Sequence, residues 1–416
     1  MAGALFAYVM IGLGDRVSDP VGSGWVLAGS LLFFLTGCML LAIGGTSLGA
    51  LHAFAAFLVL AVVAALNQLL PVLTHAPVAR PQSVIAVATG FAIGFSLLIA
   101  AFYGAPMFGA AGIVLALTAI AWVLWNMVRL WAGRDERETR VLVAFATIAF
   151  AGAVGIGALM TCTLGGRCSA QIVGLAPLHA FLAVAGFASL LIVAVSFRFV
   201  PMFAVAHGDA YGRRAMQWVA VAGVAVAAGS LHWPLGLRLG LLELLASAIS
   251  IGASHMRTLA TRLRKRVDVS LRYGSVAWCL AIVAIFVALA ATWQTGLQTA
   301  AVILAVLGWI SITILGYAYK VAGFLAWQVA KERDPAAQLP ALSTAVHLPL
   351  AYAALAFLGA GTCIAAFCSF VFPDHVGVGY GLYAIGGLAA VVALAKLASL
   401  YILRRQPNGT SVRATG

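Results

Sequence analysis

Residues 172–206 read IVGLAPLHAFLAVAGFASLLIVAVSFRFVPMFAVA, a run of 35 residues in which Arg198 is the one Lys, Arg, Asp or Glu. A helix that crosses the hydrocarbon core of a bilayer needs about 20 mainly apolar residues, so this stretch is long enough to span a membrane. The whole chain of 416 residues has the same character, with 64% hydrophobic and 8% charged residues. Soluble proteins carry roughly a quarter charged residues. The composition therefore excludes a water-soluble enzyme and a nucleic-acid-binding domain, and it predicts an integral membrane protein whose main partner is the lipid bilayer.

Twelve stretches are long and apolar enough to be transmembrane helices. Their continuous runs exclude a membrane barrel, whose strands alternate over about 10 residues. We predict an all-α polytopic protein with a single membrane domain over residues 25–403. An interfacial segment, 1–24, precedes it, and a polar cytoplasmic tail, 404–416, follows it. The predicted spans are 25–44, 47–74, 82–103, 107–131, 141–163, 172–206, 216–230, 235–256, 273–293, 297–327, 346–372 and 379–403.

The basic residues predict the orientation of these spans. With the N-terminus in the cytoplasm, the outward connections contain only Arg167 and Arg238, and the inward connections contain most other Lys and Arg residues. This asymmetry follows the positive-inside rule. We interpret the net charge of +13 as a topology signal, and predict a bacterial-type inner (plasma) membrane with both termini cytoplasmic. The densest inward group is Arg257, Arg262, Arg264, Lys265, Arg266 and Arg272.

The second, sixth and tenth predicted spans resemble one another. The first two contain Leu51-His52-Ala53-Phe54 and Leu178-His179-Ala180-Phe181. All three close with a polar side chain, two apolar residues and a helix breaker, as Gln68 to Pro71, Arg198 to Pro201, and Lys320 to Gly323. Symmetric repeats often build a binding site at their common axis. We predict three pseudo-symmetric arcs of four helices, with these three spans innermost; the alternative is chance recurrence in a chain of low complexity.

Two histidines are the best candidates for cofactor ligands. His52 and His179 occupy equivalent places in two repeats, in the outer third of their spans, so both should point at the central axis. A neutral imidazole is a good ligand for haem iron, copper or zinc. His232 and His375 fall on outward connections and could join His179 at a metal. The alternative for each is a histidine whose hydrogen bonds are satisfied by a backbone carbonyl or by a neighbouring helix. The remaining four, at inward helix ends, are interpreted as interfacial: His75, His207, His255 and His347.

A second polar layer lies near the inward ends of the same three spans. Gln68, Arg198 and Lys320 could form an inner polar ring that binds an anion or provides a path for protons. The alternative is that the long cationic side chains extend toward anionic lipid headgroups, which we favour for Arg198 and Lys320.

Two cysteines flank the predicted outward connection after the fifth span, in the stretch Cys162-Thr-Leu-Gly-Gly-Arg-Cys168. If that side is periplasmic, the oxidising compartment would sustain a disulfide between them. The two glycines allow the loop to close. A metal-binding pair is the alternative.

In layout, the chain resembles the catalytic subunit of the haem-copper oxidases. The resemblance rests on the twelve spans, the three arcs, and the motifs of His52 with Gln68-x-x-Pro71 and His179 with Arg198-x-x-Pro201. It is closest to a divergent, cofactor-poor branch, and the NnrS family of haem- and copper-containing membrane proteins is a related comparison. The resemblance implies that His52 binds haem, as the second-span histidine of that family does, and that His179 binds copper.

The chain also departs from that family. It has no His-His pair for copper and no histidine in the tenth span, and Ala183 stands where the oxygen-reducing site has a tyrosine four residues after its histidine. These gaps argue against reduction of oxygen or nitric oxide by the standard site. The resemblance implies a protein that binds haem b, copper or both for redox chemistry, sensing or cofactor handling, with other membrane or redox subunits as possible partners. The alternatives are a cofactor-free transporter or permease, and a structural or assembly subunit that has lost its cofactors.

Overall fold

The structure, a computed structural model, describes residues 20–45, 47–77, 79–133, 137–206, 213–263, 266–335, 338–341 and 345–402. These residues form twelve main helices and no β-strand. Eleven of the helices are long and apolar enough to cross a membrane. The prediction of an all-α polytopic membrane protein is confirmed, and such a protein contacts lipid around its circumference. Most of the predicted interfacial segment and the predicted tail lie outside the described residues, as does His207.

The helices follow the predicted spans closely. The seventh is the shortest, with 17 residues. In chain order they are α1 Pro20–Gly44, α2 Leu48–Thr74, α3 Pro81–Phe102, α4 Phe108–Ala132, α5 Arg137–Leu164, α6 Ile172–Ala204, α7 Arg213–Gly229, α8 Pro234–Ala260, α9 Val269–Ala290, α10 Thr295–Arg333, α11 Leu348–Val371 and α12 Val376–Ile402.

Three helices lie inside a ring formed by the other nine. The ring runs α1, α3, α4, α5, α7, α8, α9, α11, α12 and back to α1, with each helix in contact with the next. Helix α10 contacts both α2 and α6 at the centre. The most apolar segments of α2, α10 and α6 are 72%, 67% and 56% buried, against 22–44% for the other eight long helices. The second, sixth and tenth helices are therefore the inner members, as predicted from their sequence likeness.

Contacts between connections define the two ends of the bundle. The Ser47 and Tyr103 hydroxyls, 3.1 Å apart, join the α1–α2 and α3–α4 connections. This end also carries Cys162 and Cys168 in the α5–α6 connection, and we call it the disulfide end. At the other end the Leu263 backbone N–H donates to the Val205 carbonyl, 3.2 Å away, between the ends of α8 and α6. We call this the basic end, because it carries the arginine-rich connections.

Local sequence sets where several helices begin. Pro81 and Pro234 stand in the first turns of α3 and α8, where the missing N–H costs nothing. The hydroxyl of Ser47 caps α2 by accepting from the Ala50 N–H. Helix α1 begins at Pro20, five residues before the predicted span, for the same reason as α3 and α8.

The predicted helix breakers do not end the inner helices. Pro71 and Pro201 lie within the last turns of α2 and α6, which continue to Thr74 and Ala204. The residue that follows each helix is the fourth after its proline. These residues, His75 and Val205, adopt left-handed φ angles of 51° and 50°. Helix α10 passes through Gly323 and continues to Arg333, since a glycine inside a helix costs only about 1 kcal/mol.

A second sign of the repeat lies in the middle of α6 and α10. Residues Leu182–Ser189 (LAVAGFAS) and Leu304–Ser311 (LAVLGWIS) both form π-helix. In each segment, the hydroxyl of the final serine donates a hydrogen bond of 2.8 Å to the carbonyl oxygen five residues earlier. The Trp309 indole N–H donates to the Ser189 hydroxyl across 3.0 Å, so the two segments contact each other directly. Matching irregularities at matching positions support a duplicated helix rather than chance recurrence.

Helices α11 and α12 pack through glycines. A Cβ on Gly379 would lie 2.3 Å from the Ala365 backbone nitrogen, whereas a Cβ on Gly381, two residues away, would meet nothing within 4 Å. We expect Gly379→Val to separate the two helices and lower the free energy of unfolding by about 2 kcal/mol. Gly381→Val introduces the same β-branched residue into the same helix and should change it far less. Thermal unfolding of both variants in detergent checks this, and equal losses would show that the close approach is not what matters.

Candidate functional site

His52 and His179 are neighbours at the disulfide end of the bundle. They lie in the first turns of α2 and in the first half of α6, and their ring centroids are 6.3 Å apart with planes inclined by 21°. Both side chains are partly buried. The repeat predicted that these two rings would face a common interior, and the structure brings them together. Their assignment as ligands stays a prediction.

Backbone carbonyls fix both imidazoles through the same ring nitrogen. The Nδ1 of His52 is 2.7 Å from the Leu48 carbonyl oxygen, one turn earlier in α2. The Nδ1 of His179 is 2.8 Å from the Ala153 carbonyl oxygen of α5. A carbonyl oxygen can only accept, so each neutral ring carries its proton on Nδ1 and has its lone pair on Nε2. This is the arrangement by which proteins commonly orient metal-ligating histidines.

Helices α3 and α5 hold the two rings in place. The Phe102 ring of α3 lies 5.0 Å from the His52 ring, centroid to centroid. A Cβ on Gly157 would lie 3.0 Å from Cε1 and 3.3 Å from Nδ1 of His179. The Nδ1–Cε1 edge of His179 therefore faces α5, and its Nε2 lies toward the other side of the ring. A Cβ at position 157 would therefore require the His179 ring to shift by a few tenths of an ångström.

The half of α6 that carries His179 is weakly packed. No residue of Ile172–Phe181 is fully buried, whereas 11 of the 15 residues in Leu190–Ala204 are. The π-helix segment separates the two halves. A π turn inserts an extra residue, and each residue of an α-helix turns the chain by about 100°, so the segment redirects the face that carries His179 relative to the buried half. The π-helix was not predicted from the sequence, where its one signal is the likeness of residues 182–189 to residues 304–311.

His232 and His375 do not join the pair. Both are exposed, and the part of the chain that the structure describes contains no group of three His, Cys, Asp or Glu residues placed to hold a metal ion. The predicted metal set of His179, His232 and His375 is therefore not assembled. The physical reason is that His232 lies in the α7–α8 connection and His375 lies in the α11–α12 connection, just before α12 begins. When the two π-helix segments are aligned, the residue of α10 that corresponds to His179 is Ala301.

The predicted inner polar ring is occupied by helix–helix contacts. The Gln68 amide donates 2.8 Å to the Ser23 hydroxyl of α1. Lys320 forms an ion pair with Asp268, and the two side chains are only 16% and 10% exposed. Arg198 is exposed. The expectation that Lys320 extends to lipid headgroups is wrong, because a carboxylate at the start of α9 neutralises it within the protein.

Asp268, the partner of Lys320, was not predicted from the sequence. Its carboxylate also accepts from the Ser270 N–H, 3.2 Å away, and caps α9. It therefore joins the start of α9 to α10. The sequence does indicate its capping role, because an aspartate directly before an apolar run is typical of a helix N-cap.

Cys162 and Cys168 are joined by a disulfide, with Cα atoms 5.4 Å apart, so these sulfurs do not form a metal-binding pair. The bridge closes the turn between α5 and α6. Helix α5 contributes the Ala153 carbonyl and Gly157, and α6 contributes His179. The disulfide thus joins the last turn of α5 to the connection that leads into α6.

Comparisons with protein-family models and with curated proteins find no match to this chain. The resemblance to the haem-copper oxidases therefore rests on layout and on a few residues.

The contact between Gly157 and His179 can be tested without any cofactor. We expect Gly157→Val to displace His179 and to raise its rate of modification by diethyl pyrocarbonate several-fold, measured by peptide mass spectrometry. Gly155→Val is the matched control, since a Cβ there meets nothing within 4 Å. An unchanged rate at His179 in Gly157→Val would contradict the described packing.

The ion pair between Lys320 and Asp268 should couple α9 to α10. We expect Asp268→Asn to destabilise the protein, because it leaves a poorly exposed ammonium without its carboxylate while asparagine can still cap α9. Adding Lys320→Met should recover part of the loss. A double-mutant cycle of unfolding free energies should give a coupling of about 1–3 kcal/mol. Strictly additive losses would rule the pair out as a stabilising contact.

Proposed function

We propose that this protein binds one redox-active metal centre, haem b or a copper ion, between His52 and His179, on a scaffold related to the haem-copper oxidases. It would serve redox chemistry, sensing or cofactor handling, and not oxygen reduction by the standard site. The observation that supports the proposal is the pair of imidazoles 6.3 Å apart, each held by a carbonyl at Nδ1.

Two neutral imidazoles whose ring centroids are 6.3 Å apart would be close enough to hold one metal centre through their Nε2 atoms. Haem iron accepts two axial histidines, and copper accepts imidazole readily. Structural zinc sites have four protein ligands, and no such set exists among the described residues. The donor set therefore fits haem iron or copper better than zinc.

The surroundings also suit an apolar cofactor. The Ile172–Phe181 half of α6 leaves its apolar side chains without full burial next to His179, so this face is available to a flat hydrophobic group. The Leu48 and Ala153 carbonyls would fix the orientation of the two rings. When bound, such a centre supplies one-electron exchange; the residues described here bind it and orient it.

The proposal includes an orientation in the membrane. We place the basic end in the cytoplasm and the disulfide end outside, in an inner (plasma) membrane, with cytoplasmic termini. The arginine-rich connections support this through the positive-inside rule, and an oxidising exterior would maintain the Cys162–Cys168 bridge. The metal site would then lie near the outer surface, within reach of other membrane or redox subunits.

Spectra of single-histidine variants test the proposal. Purified protein should show a reduced-minus-oxidised haem b spectrum or about one equivalent of copper. His52→Ala and His179→Ala should each abolish it, while His375→Ala, at an exposed position, should leave it unchanged.

Metal content is measured by elemental analysis on the same preparations. A colourless, metal-free protein that gains no centre on reconstitution would overturn the proposal. The remaining alternatives would be a transporter and an assembly subunit. A substrate that raises the melting temperature would support the transporter, and co-purification with other subunits would support the assembly subunit.

A further inference from the structure

Glu243 is an acidic residue inside a helix long enough to span the membrane. It comes nine residues after Pro234, the first of the 27 residues of α8, so it lies about 13 Å from that end at 1.5 Å per residue. The other Asp and Glu residues that the structure describes lie in connections or in the first or last turn of a helix. Long cationic side chains can extend from such a depth to the headgroups, but a glutamate is too short to do so. An ionisable group at membrane depth is costly and indicates a function.

The two helices beside this position pack closely. A Cβ on Gly240 of α8 would lie 2.5 Å from the Ala227 backbone nitrogen of α7. A Cβ on Gly223 of α7 would lie 3.1 Å from the Leu244 backbone nitrogen of α8. These two contacts flank Glu243 along the chain, so its carboxyl group adjoins a closely packed apolar seam between α7 and α8.

The Glu243 carboxyl group has no partner within this seam. Its Oε2 atom is buried and accepts no hydrogen bond, and the described residues supply neither a hydrogen bond nor an ion pair to the side chain. The side chain as a whole is only partly buried, and the nearby Leu239 and Leu242 are exposed. The group therefore lies at the border between the protein and lipid. An ionised carboxylate there would lose its hydration without gaining a donor or a counter-charge.

The polar groups nearest in sequence bind elsewhere. The hydroxyl of Ser247, one turn further along α8, donates to the Met216 carbonyl oxygen of α7, 3.2 Å away. Arg238, five residues before the glutamate, donates to the Thr292 hydroxyl and carbonyl oxygens at 3.0 and 3.3 Å. Residues 215–229 of α7 include no ionisable side chain. No nearby cation or hydroxyl therefore neutralises the carboxyl group.

Helices α6 and α9 also contact α8. The ionisable groups of α9, of the buried half of α6 and of the rest of α8 lie nearer the basic end than Glu243 does. They are Arg198, His255, Arg257, Arg272, Tyr273 and Cys279.

We propose that Glu243 is a proton-binding site within the membrane, and that its carboxyl group is neutral in the folded protein. A proton on Oε1 removes the charge and leaves Oε2 as a carbonyl-type oxygen. A carbonyl oxygen without a hydrogen bond costs far less than an unpaired buried charge. The same group is then a site of covalent modification by a carbodiimide that dissolves in lipid. The inference is independent of the histidine pair.

Dicyclohexylcarbodiimide tests the proposal, because it enters lipid and reacts with protonated carboxyl groups. The carboxyl proton passes to a carbodiimide nitrogen, the carboxyl oxygen bonds to the central carbon, and the adduct rearranges to a stable N-acylurea without a leaving group. In proteoliposomes at neutral pH, Glu243 should be labelled at least about tenfold faster than Glu332, since exposed carboxyl groups are almost fully ionised at that pH. Glu332 is an exposed residue in the last turn of α10. Peptide mass spectrometry locates the label, and Glu243→Gln should remove it.

Infrared spectroscopy of the unlabelled protein gives a second readout. The C=O band of a protonated carboxyl group should be present at neutral pH and should disappear in Glu243→Gln. Glutamine is neutral and of nearly the same shape, so this variant should unfold at the same temperature as the original protein.

Three results would each overturn the proposal. The first is the absence of both the label and the infrared band. The second is equal labelling of Glu243 and Glu332 by a water-soluble carbodiimide, which would show a hydrated carboxylate. The third is the loss of a co-purifying subunit from Glu243→Gln, which would show that a cation of a partner pairs with the carboxylate.

Discussion

A backbone N–H or C=O that lies in hydrocarbon without a hydrogen-bond partner costs several kcal/mol, and the architecture of this protein follows from that constraint. Nearly every residue that faces lipid is helical, and the irregular backbone lies at the ends of the bundle. The two π-helix segments are the exceptions in the interior. They lie in α6 and α10, which the ring of nine helices covers, and Ser189 and Ser311 each donate to a carbonyl within them. Six of the eight residues of the π-helix segment in α10 are buried, against three of eight in α6, so the protein covers the α10 segment more completely.

The number and nature of the helices could be predicted from sequence because hydrophobic length is a strong signal. The details that failed have weak signals. The prolines at positions 71 and 201 were described as helix breakers, although the predicted spans already continued past them to residues 74 and 206. A proline in the last turn removes one N–H donor without stopping the chain from completing that turn. The start of α1 was placed at Trp25, because Pro20 through Gly24 are not hydrophobic enough to mark a span. The inner positions of α2, α6 and α10 were predicted from their mutual likeness, which pure hydropathy would not reveal.

The candidate site also contains residues that could be predicted from the sequence and contacts that could not. His52 and His179 could be found because they recur in a shared motif at equivalent places. Their partners could not, since the Leu48 and Ala153 carbonyls are backbone groups that any residue supplies, and Gly157 is one of 44 glycines. The Lys320–Asp268 pair was missed because it joins residues 52 positions apart, and the three-dimensional path of the α8–α9 connection decides it.

The electrostatics of the histidine pair narrow the kind of centre it would favour. Two neutral imidazoles contribute no negative charge, and no third His, Cys, Asp or Glu of the described chain reaches them. A bare divalent ion in this setting would keep most of its charge in a region of low dielectric constant, which is unfavourable. A centre of low net charge avoids that cost. Cuprous copper carries a single charge, and a ferrous haem ring is neutral because the porphyrin dianion balances the iron. Under the proposed function, the lack of a carboxylate beside the pair among the described residues would make these two better suited to the site than zinc or cupric copper.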